Sequence, residues 1–171
     1  GNIKRLNRHK IFNIDLVNCH LSKTNLNYVI LKGANLNNAN VSNSNLIQAN
    51  FESSRMNRAN FENSNLNQVN LRKSFASGAN FRDANMIKAN LENAFLIKAD
   101  FNNAFLMEAN LNGANLTGTN FDFANLYKAD LRNAVGLTIE QFEHVKTLYL
   151  AQFDDDFYQK IMKAKPKLVG K

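Results

Sequence analysis

The chain's first regularity is a strict five-residue spacing of apolar side chains. From Leu6 to Leu131 every fifth residue is Leu, Ile, Val, Met or Phe, with Ala76 as the small exception. Two positions before each of these centres, from Ala34 to Ala134, the residue is Ala or Ser everywhere except at Val69 and Thr119. One before each centre, from Asn35 to Asp130, it is Asn or Asp, interrupted by Arg55, Phe75, Phe95 and Phe105. The unit reads A-N-L-x-x. A period of five fits neither regular element: on an α-helix successive centres drift apart by ~140°, and on a flat strand an odd period sends every second centre to solvent. The chain must therefore turn within each unit. One short edge and one corner per unit let the large centre and the small residue two before it point inward while the other three point out, and stacked coils then pair backbone to backbone at ~4.8 Å.

Residues that should lie above one another give the number of units per coil. Phe61, Phe81, Phe101 and Phe121 are spaced by 20, as are the outward Phe75 and Phe95. The column Lys32, Glu52, Arg72, Glu92 has the same spacing and alternates in sign, as favourable vertical neighbours should. Four pentapeptides per coil follow, so the architecture expected is an all-β solenoid of four sides over residues 6–135, on the order of 30 Å long. Such a rod exposes unpaired backbone and apolar core at its ends. At the carboxyl end the pattern stops at Gly136, and Thr138-Ile139-Glu140-Gln141 has capping-box spacing. Phe142, Val145 and Tyr149 then recur at helical spacing, and Asp154-Asp155-Asp156 opens a second run through Phe157, Tyr158, Ile161 and Met162. Two short helices over 137–165 are expected as a C-terminal α-helical cap, followed by a tail at 166–171. The aromatic cluster Phe142, Val145, Tyr149, Phe153 and Phe157 is expected to cover its own coil, with a homodimer contact through this end as the alternative.

Units such as Ala34-Asn35-Leu36, Ala89-Asn90-Leu91 and Ala129-Asp130-Leu131 resemble the A-[DN]-L-x-x signature of the pentapeptide-repeat family. One such unit is trivial, but the unbroken run over residues 6–135 is highly specific. The resemblance implies a right-handed quadrilateral β-helix; the periodicity itself says nothing of hand. The first units depart from the pattern, with Ile14, Cys19 and Val29 in place of Ala and Lys10, His20 and Ile30 in place of Asn, so the first coil is expected to be the least regular.

Charge narrows the function classes. The formal net charge of +7 gathers at the amino end, where Lys4, Arg5, Arg8 and Lys10 stand without an acid in residues 1–10, while the repeat body is near neutral. A basic end is a solvated terminus more readily than a nucleic-acid groove, which should run along a face. Family members that resemble duplex DNA and act on type II topoisomerase need a strongly negative rod, and often carry an inserted loop that this chain lacks between Leu31 and Val135. A DNA-mimic role is therefore the lesser expectation, and nucleic-acid binding is disfavoured. No stretch approaches the ~18 apolar residues of a membrane span. A lone cysteine, Cys19, fits a reducing compartment, so a cytoplasmic location is expected, with a secreted bacterial effector domain as the alternative. The chain opens on Gly, which suits a processed product or excised domain.

The inventory of chemistry is thin. Cys19 and His20 adjoin, but the repeat points one inward and the other outward, which disfavours a nucleophile–base pair. His9 and His144 stand apart, carboxylates alternate with Lys and Arg, and Gly33, Gly78, Gly113 and Gly118 fall at corners rather than in a phosphate loop. No catalytic residue, cofactor or metal is expected. A regular solenoid should be polar outside, so the exceptions locate contacts. Folding at 20 residues gathers Arg55, Arg58, Phe75, Phe95, Ile97 and Lys98 on one side, and Ile47, Ile87, Phe105, Met107 and Tyr127 on another. The expectation is a non-enzymatic protein-binding or scaffold module, its partner another protein.

Overall fold

The computed structural model describes residues 13–170. The basic start at 1–10, with His9, lies outside the described residues.

Each unit is one small inward residue, one bridge residue, one inward centre and a two-residue turn. Parallel bridges join residues 20 apart in four columns: Asp15 to Val135 on the first face, His20 to Asn120 on the second, Asn25 to Asn125 on the third and Ile30 to Asp130 on the fourth. The edges are so short that each contributes little more than one pair of bonds per neighbour. Leu36 N–H donates to the Arg55 carbonyl of the coil above at 2.6 Å, and Arg55 N–H donates back to the Ala34 carbonyl at 2.9 Å. The corner closes by a turn in which Ala39 N–H donates to the Leu36 carbonyl at 3.0 Å. The second corner residue is left-handed throughout, with φ between 53° and 61° at the non-glycine positions, which explains the Asn and Gly found there. Tyr28 and Phe123 occupy that conformation as well.

Two inward positions per unit build the core. The residue two before each centre must be small because the turn brings it against the coil axis, and from Ala34 to Ala129 these side chains are buried. The large centres stack. Phe61, Phe81, Phe101 and Phe121 lie nearly parallel at ring separations of 5.2, 5.0 and 5.7 Å. Phe142 extends that stack at 5.7 Å, and Phe51 closes its lower end edge-on. Hydroxyls among the small residues bond to carbonyls of the coil below: Ser44 to Leu21, Ser64 to Val41 and Thr119 to Leu96. The buried hydroxyls of Ser54 and Ser74, behind the first face, have no partner among the described residues. Among the described residues the first coil keeps the first bridges of all four columns, at Asp15, His20, Asn25 and Ile30, despite its departures from the repeat, while Lys10 lies outside the described residues. The coil's lower regularity shows in burial instead: Leu21 and Cys19 are half-buried and His20 is exposed.

The outward Asn column is structural. Along most of the rod the side-chain oxygen of the column Asn accepts from the N–H two residues on, as in Asn50 to Glu52 at 2.9 Å and Asn90 to Glu92 at 3.0 Å; at Asn45 the Ile47 N–H turns instead to Asn27 of the coil below. This satisfies a turn donor that no backbone carbonyl reaches.

The carboxyl end departs from the expectation of two helices over 137–165 in its first part, where a helix was expected to start at Thr138. Only Glu140–Phe142 is helical there, as one 3-10 turn. Residues beyond it rejoin the rod: Thr147 bridges Asn125 and Gln152 bridges Asp130, so pairing continues past 135 into an irregular coil whose offset is 22 residues. The helical spacing of Phe142, Val145 and Tyr149 misled because Phe142 and Val145 are drawn inward by the coil beneath, while Tyr149 stacks on Tyr127 outside. Gly136 makes the departure possible. At φ +80° a β-carbon there would lie 2.8 Å from the Thr117 Cα, so no other residue fits. The second expected helix is present as α1, Asp155–Ala164, and a further turn, α2, spans Pro166–Val169 where a tail was expected. Leu148 N–H donates to the Leu168 carbonyl, tying α2 onto the last coil.

Candidate functional site

The first face is where the outward pattern fails most. Arg55, Phe75 and Phe95 replace three successive Asn of one column. Phe75 and Phe95 stack at 4.9 Å with planes 3° apart and remain 42% and 43% exposed. Parallel bridging holds the two residues in register, so the pair is rigid without any contact from outside. Ile97 continues the apolar strip at its upper end, half-buried. Arg58 and Lys98 stand at the corner shared with the second face. Their stems rise over Gly78 and Gly118, with Arg58 Cγ 3.6 Å and Lys98 Cγ 3.4 Å from where a β-carbon would sit on those glycines. Lys73 flanks Phe75 from the opposite corner. Below lies a shallow groove of about 380 Å³, lined by Asn37, Asn38, Asn57, Arg58 and Ser77.

Loss of the Asn column also removes acceptors, and the replacements are uneven. Asn57 N–H and Ser77 N–H, deprived of an oxygen at positions 55 and 75, are taken by Asn37 and Asn57 of the coils below at 2.9 and 3.0 Å. One coil higher, Ser77 stands beneath Ile97 and supplies no such oxygen. Among the described residues Ile97 N–H has no acceptor. Met107 N–H, which follows Phe105 on the third face, is in the same position. The signal was present in the sequence: each Phe that replaces a column Asn removes the oxygen that the residue two further on would use.

Charge separates this face from the rest. The fourth face carries the expected ladder, with Lys32 to Glu52 at 3.0 Å and Arg72 to Glu92 at 3.3 Å. Arg82 pairs with Asp100, Lys88 with Glu108 and Arg132 with Asp130. Arg132 donates two bonds to the Asp130 carboxylate, and this holds Asp130 below the usual aspartate range. Arg55, Arg58, Lys73 and Lys98 have no ion pair among the described residues, and no Asp or Glu occurs in 53–58, 73–78 or 93–98.

On the third face Ile87, Met107 and Tyr127 form a continuous column beside Phe105, which is exposed, while Asn67 separates them from Ile47. Tyr127 stacks on Tyr149 at 5.9 Å, and Lys128 lies 5.2 Å over its ring. This strip runs into the cap instead of standing alone.

At the carboxyl end Phe142, Val145 and Phe153 are buried in their own chain, and Phe157 packs on Phe142 and Phe153. Gln141 seals the coil. Its amide donates to the Leu116 and Thr119 carbonyls at 2.8 and 3.0 Å, and its oxygen accepts from Thr138 N–H, half of the expected capping box. The apolar side chains left outside at this end are Val135, Leu150, Tyr158 and Met162, none of them in the expected cluster.

Among the described residues no three His, Cys, Asp or Glu gather as a metal site, and no helix is long and apolar enough to cross a membrane. His144 pairs with Asp122 at 3.3 Å and stacks beside Phe123, away from Cys19 and His20.

A closed four-sided coil with two inward residues per unit defines a repeat solenoid whose outer positions alone are free to vary. The sequence profile for the pentapeptide repeat region matches residues 5–81, and that for pentapeptide repeats in eight copies matches 64–103, 77–113 and 101–135. The chain belongs to the pentapeptide-repeat family. A trypsin-treated variant of QnrB1, a plasmid-mediated fluoroquinolone resistance protein, is 24% identical, covers 94% of this chain and 89% of its own, and superposes with a TM-score of 0.52. HetL, involved in heterocyst differentiation regulation in the cyanobacterium Nostoc, is 23% identical over 87% of this chain and 77% of its own, with a TM-score of 0.34. Rfr23 from the cyanobacterium Cyanothece is 30% identical over 78% of this chain and 96% of its own, with a TM-score of 0.36. A search of curated proteins returns no match. The right-handed quadrilateral β-helix with a helical cap is thereby the fold of this chain.

Proposed function

We propose that this chain is a non-enzymatic binding module that captures another protein on its first face. The observation that carries the reading is the exposed Phe75–Phe95 stack standing among cations that have no partner of their own. Exposed aromatics on a rigid scaffold, flanked by arginine, are the composition of binding hot spots, because little side-chain freedom remains to be lost on association. Arg58 and Lys98 would then set the partner's orientation, and Ile97 would extend the apolar contact. The third-face strip is the weaker candidate, since Lys88 is paired with Glu108, Lys128 lies over the Tyr127 ring, and its upper end is engaged by Tyr149. The Phe142 cluster we assign to capping its own coil.

A topoisomerase-directed DNA mimic finds no support in this surface, where the first face is positive and the other faces alternate in sign. The test is affinity capture from lysate with the chain and with its Phe75→Ser/Phe95→Ser variant, read by mass spectrometry. The expected result is a partner retained by the former and lost by the latter, with unchanged melting of the variant. A partner captured equally by both would remove the first face from consideration.

A further inference from the structure

Resting on that reading of the first face, we propose that its partner is an acidic peptide segment carrying an aromatic or large aliphatic side chain. Three independent features of the face select that chemistry. The first is charge. Arg55, Arg58, Lys73 and Lys98 surround the strip without an ion pair, whereas on the fourth face Lys32 and Arg72 meet carboxylates directly above them. The field over the strip is uncompensated, and carboxylates brought by a partner would complete the ladder this face lacks. The second is the apolar stack, whose exposed edges at Phe75 and Phe95 continue into Ile97 and give a large side chain a firm seat. The third is the Ile97 N–H, which has no acceptor among the described residues and lies two residues from Phe95 and one from Lys98. A partner that covered it with carbon alone would leave a buried donor unpaired, so the occupant must bring an oxygen. A peptide carbonyl or carboxylate supplies one.

A nucleic acid strand would also meet cations and aromatic rings. It needs a basic track along its path, however, and here the free cations occupy three coils, about 10 Å of rise at the strand spacing. Across the Arg58 corner the second face presents Glu62 and an Arg82 already paired with Asp100, so the track of unpaired cations does not continue there. A short acidic segment of protein fits within the cationic window; a polyphosphate backbone overruns it.

The experiment is a display selection of random peptides of about 12 residues on the full chain, followed by fluorescence anisotropy of the enriched sequences. Enriched peptides are expected to combine Asp or Glu with Phe, Trp, Tyr or Leu. They should bind the Arg58→Glu/Lys98→Glu variant at least about tenfold more weakly and should weaken with rising salt. Replacing the peptide's acids by Lys should restore binding to the charge-reversed variant. Thermal melts equal to the parent's confirm that both variants fold. Enrichment of neutral or basic peptides, or of none, overturns the proposal. Acidic peptides that bind the Phe75→Ser/Phe95→Ser variant unchanged also overturn it, since they sit elsewhere. Tighter binding of a single-stranded oligo-dT than of any selected peptide gives the face to nucleic acid and overturns it too. A lysate partner lost with the double Ser variant, while no acidic peptide is found, leaves the binding module standing and removes only its acidic partner.

Discussion

The first and fourth faces share one backbone and differ only in what they carry. On the fourth, Asn50, Asn70 and Asn90 close their own turns and Lys32, Glu52, Arg72 and Glu92 neutralise one another up the rod. On the first, the equivalent columns hold Arg55, Phe75 and Phe95, and among the described residues one turn donor has no acceptor and the cations have no ion pair. The bridges are nevertheless continuous on both. Outward positions in this fold therefore adjust local bonds and surface charge, while the stack of inward centres holds the coil. A face can abandon the consensus without loss of the rod, which is why the abandoned columns are the places to look for a partner.

If that division holds, an inward substitution should damage the molecule whichever face it serves. Phe101→Ala opens the middle of the ring stack and is expected to cost about 3–5 kcal/mol, read from urea unfolding. A much smaller loss would mean that the stack is not what unites the faces. The next effect has the opposite sign. Ser74 lies behind the first face with its hydroxyl unpartnered, whereas the corresponding inward column of the fourth face is Val29, Ala49, Val69 and Ala89. Ser74→Ala should stabilise by about 1–2 kcal/mol.

Restoring the fourth-face pattern to the first gives a finer comparison. Phe95→Asn places an oxygen two residues before Ile97 and should slow hydrogen exchange of that amide by roughly fivefold, corresponding to about 1 kcal/mol of local closing. Unchanged exchange would mean that the side chain does not reach its turn here. Arg72→Ala breaks the fourth-face ladder and should lower stability by about 0.5–1 kcal/mol at low salt, and by less when salt is added. The smallest effect concerns acid. Because Arg132 holds Asp130 below the ordinary range, Asp130 contributes fully above about pH 4 and its contribution fades as pH falls through the lowered folded value. Melting curves between neutral and acid pH should therefore show a shallower acid decline for Asp130→Asn than for the parent.

Most of the rod was legible in the residues. A centre every fifth position and small residues two before it are local requirements of the turn, repeated so often that no long-range contact was needed to read them. The spacing of 20 in Phe61, Phe81, Phe101 and Phe121 named the vertical neighbours before any coordinate did, and the charged column Lys32 to Glu92 followed the same rule. The cap was only partly legible. Phe142, Val145 and Tyr149 have the spacing of a helix face, yet Phe142 lies on Phe121 and Thr147 bridges Asn125, because a finished coil offers both a ring to stack on and unpaired backbone to join. Segment 143–153 obeys that template rather than its own periodicity.

The candidate face divides in the same way. Its members, Arg55, Arg58, Phe75, Phe95, Ile97 and Lys98, follow from the repeat alone, since a period of 20 fixes which residues share a side. That its cations are unpaired, that Asn37 and Asn57 rescue two turn donors while Ile97 keeps none, and that Arg58 and Lys98 lean over Gly78 and Gly118 depend on how side chains from successive coils meet. Periodicity determines which residues are neighbours; only the tertiary structure decides which of those neighbours satisfy one another, because hydrogen bonds and ion pairs depend on distances of a few tenths of an ångström that no spacing rule contains.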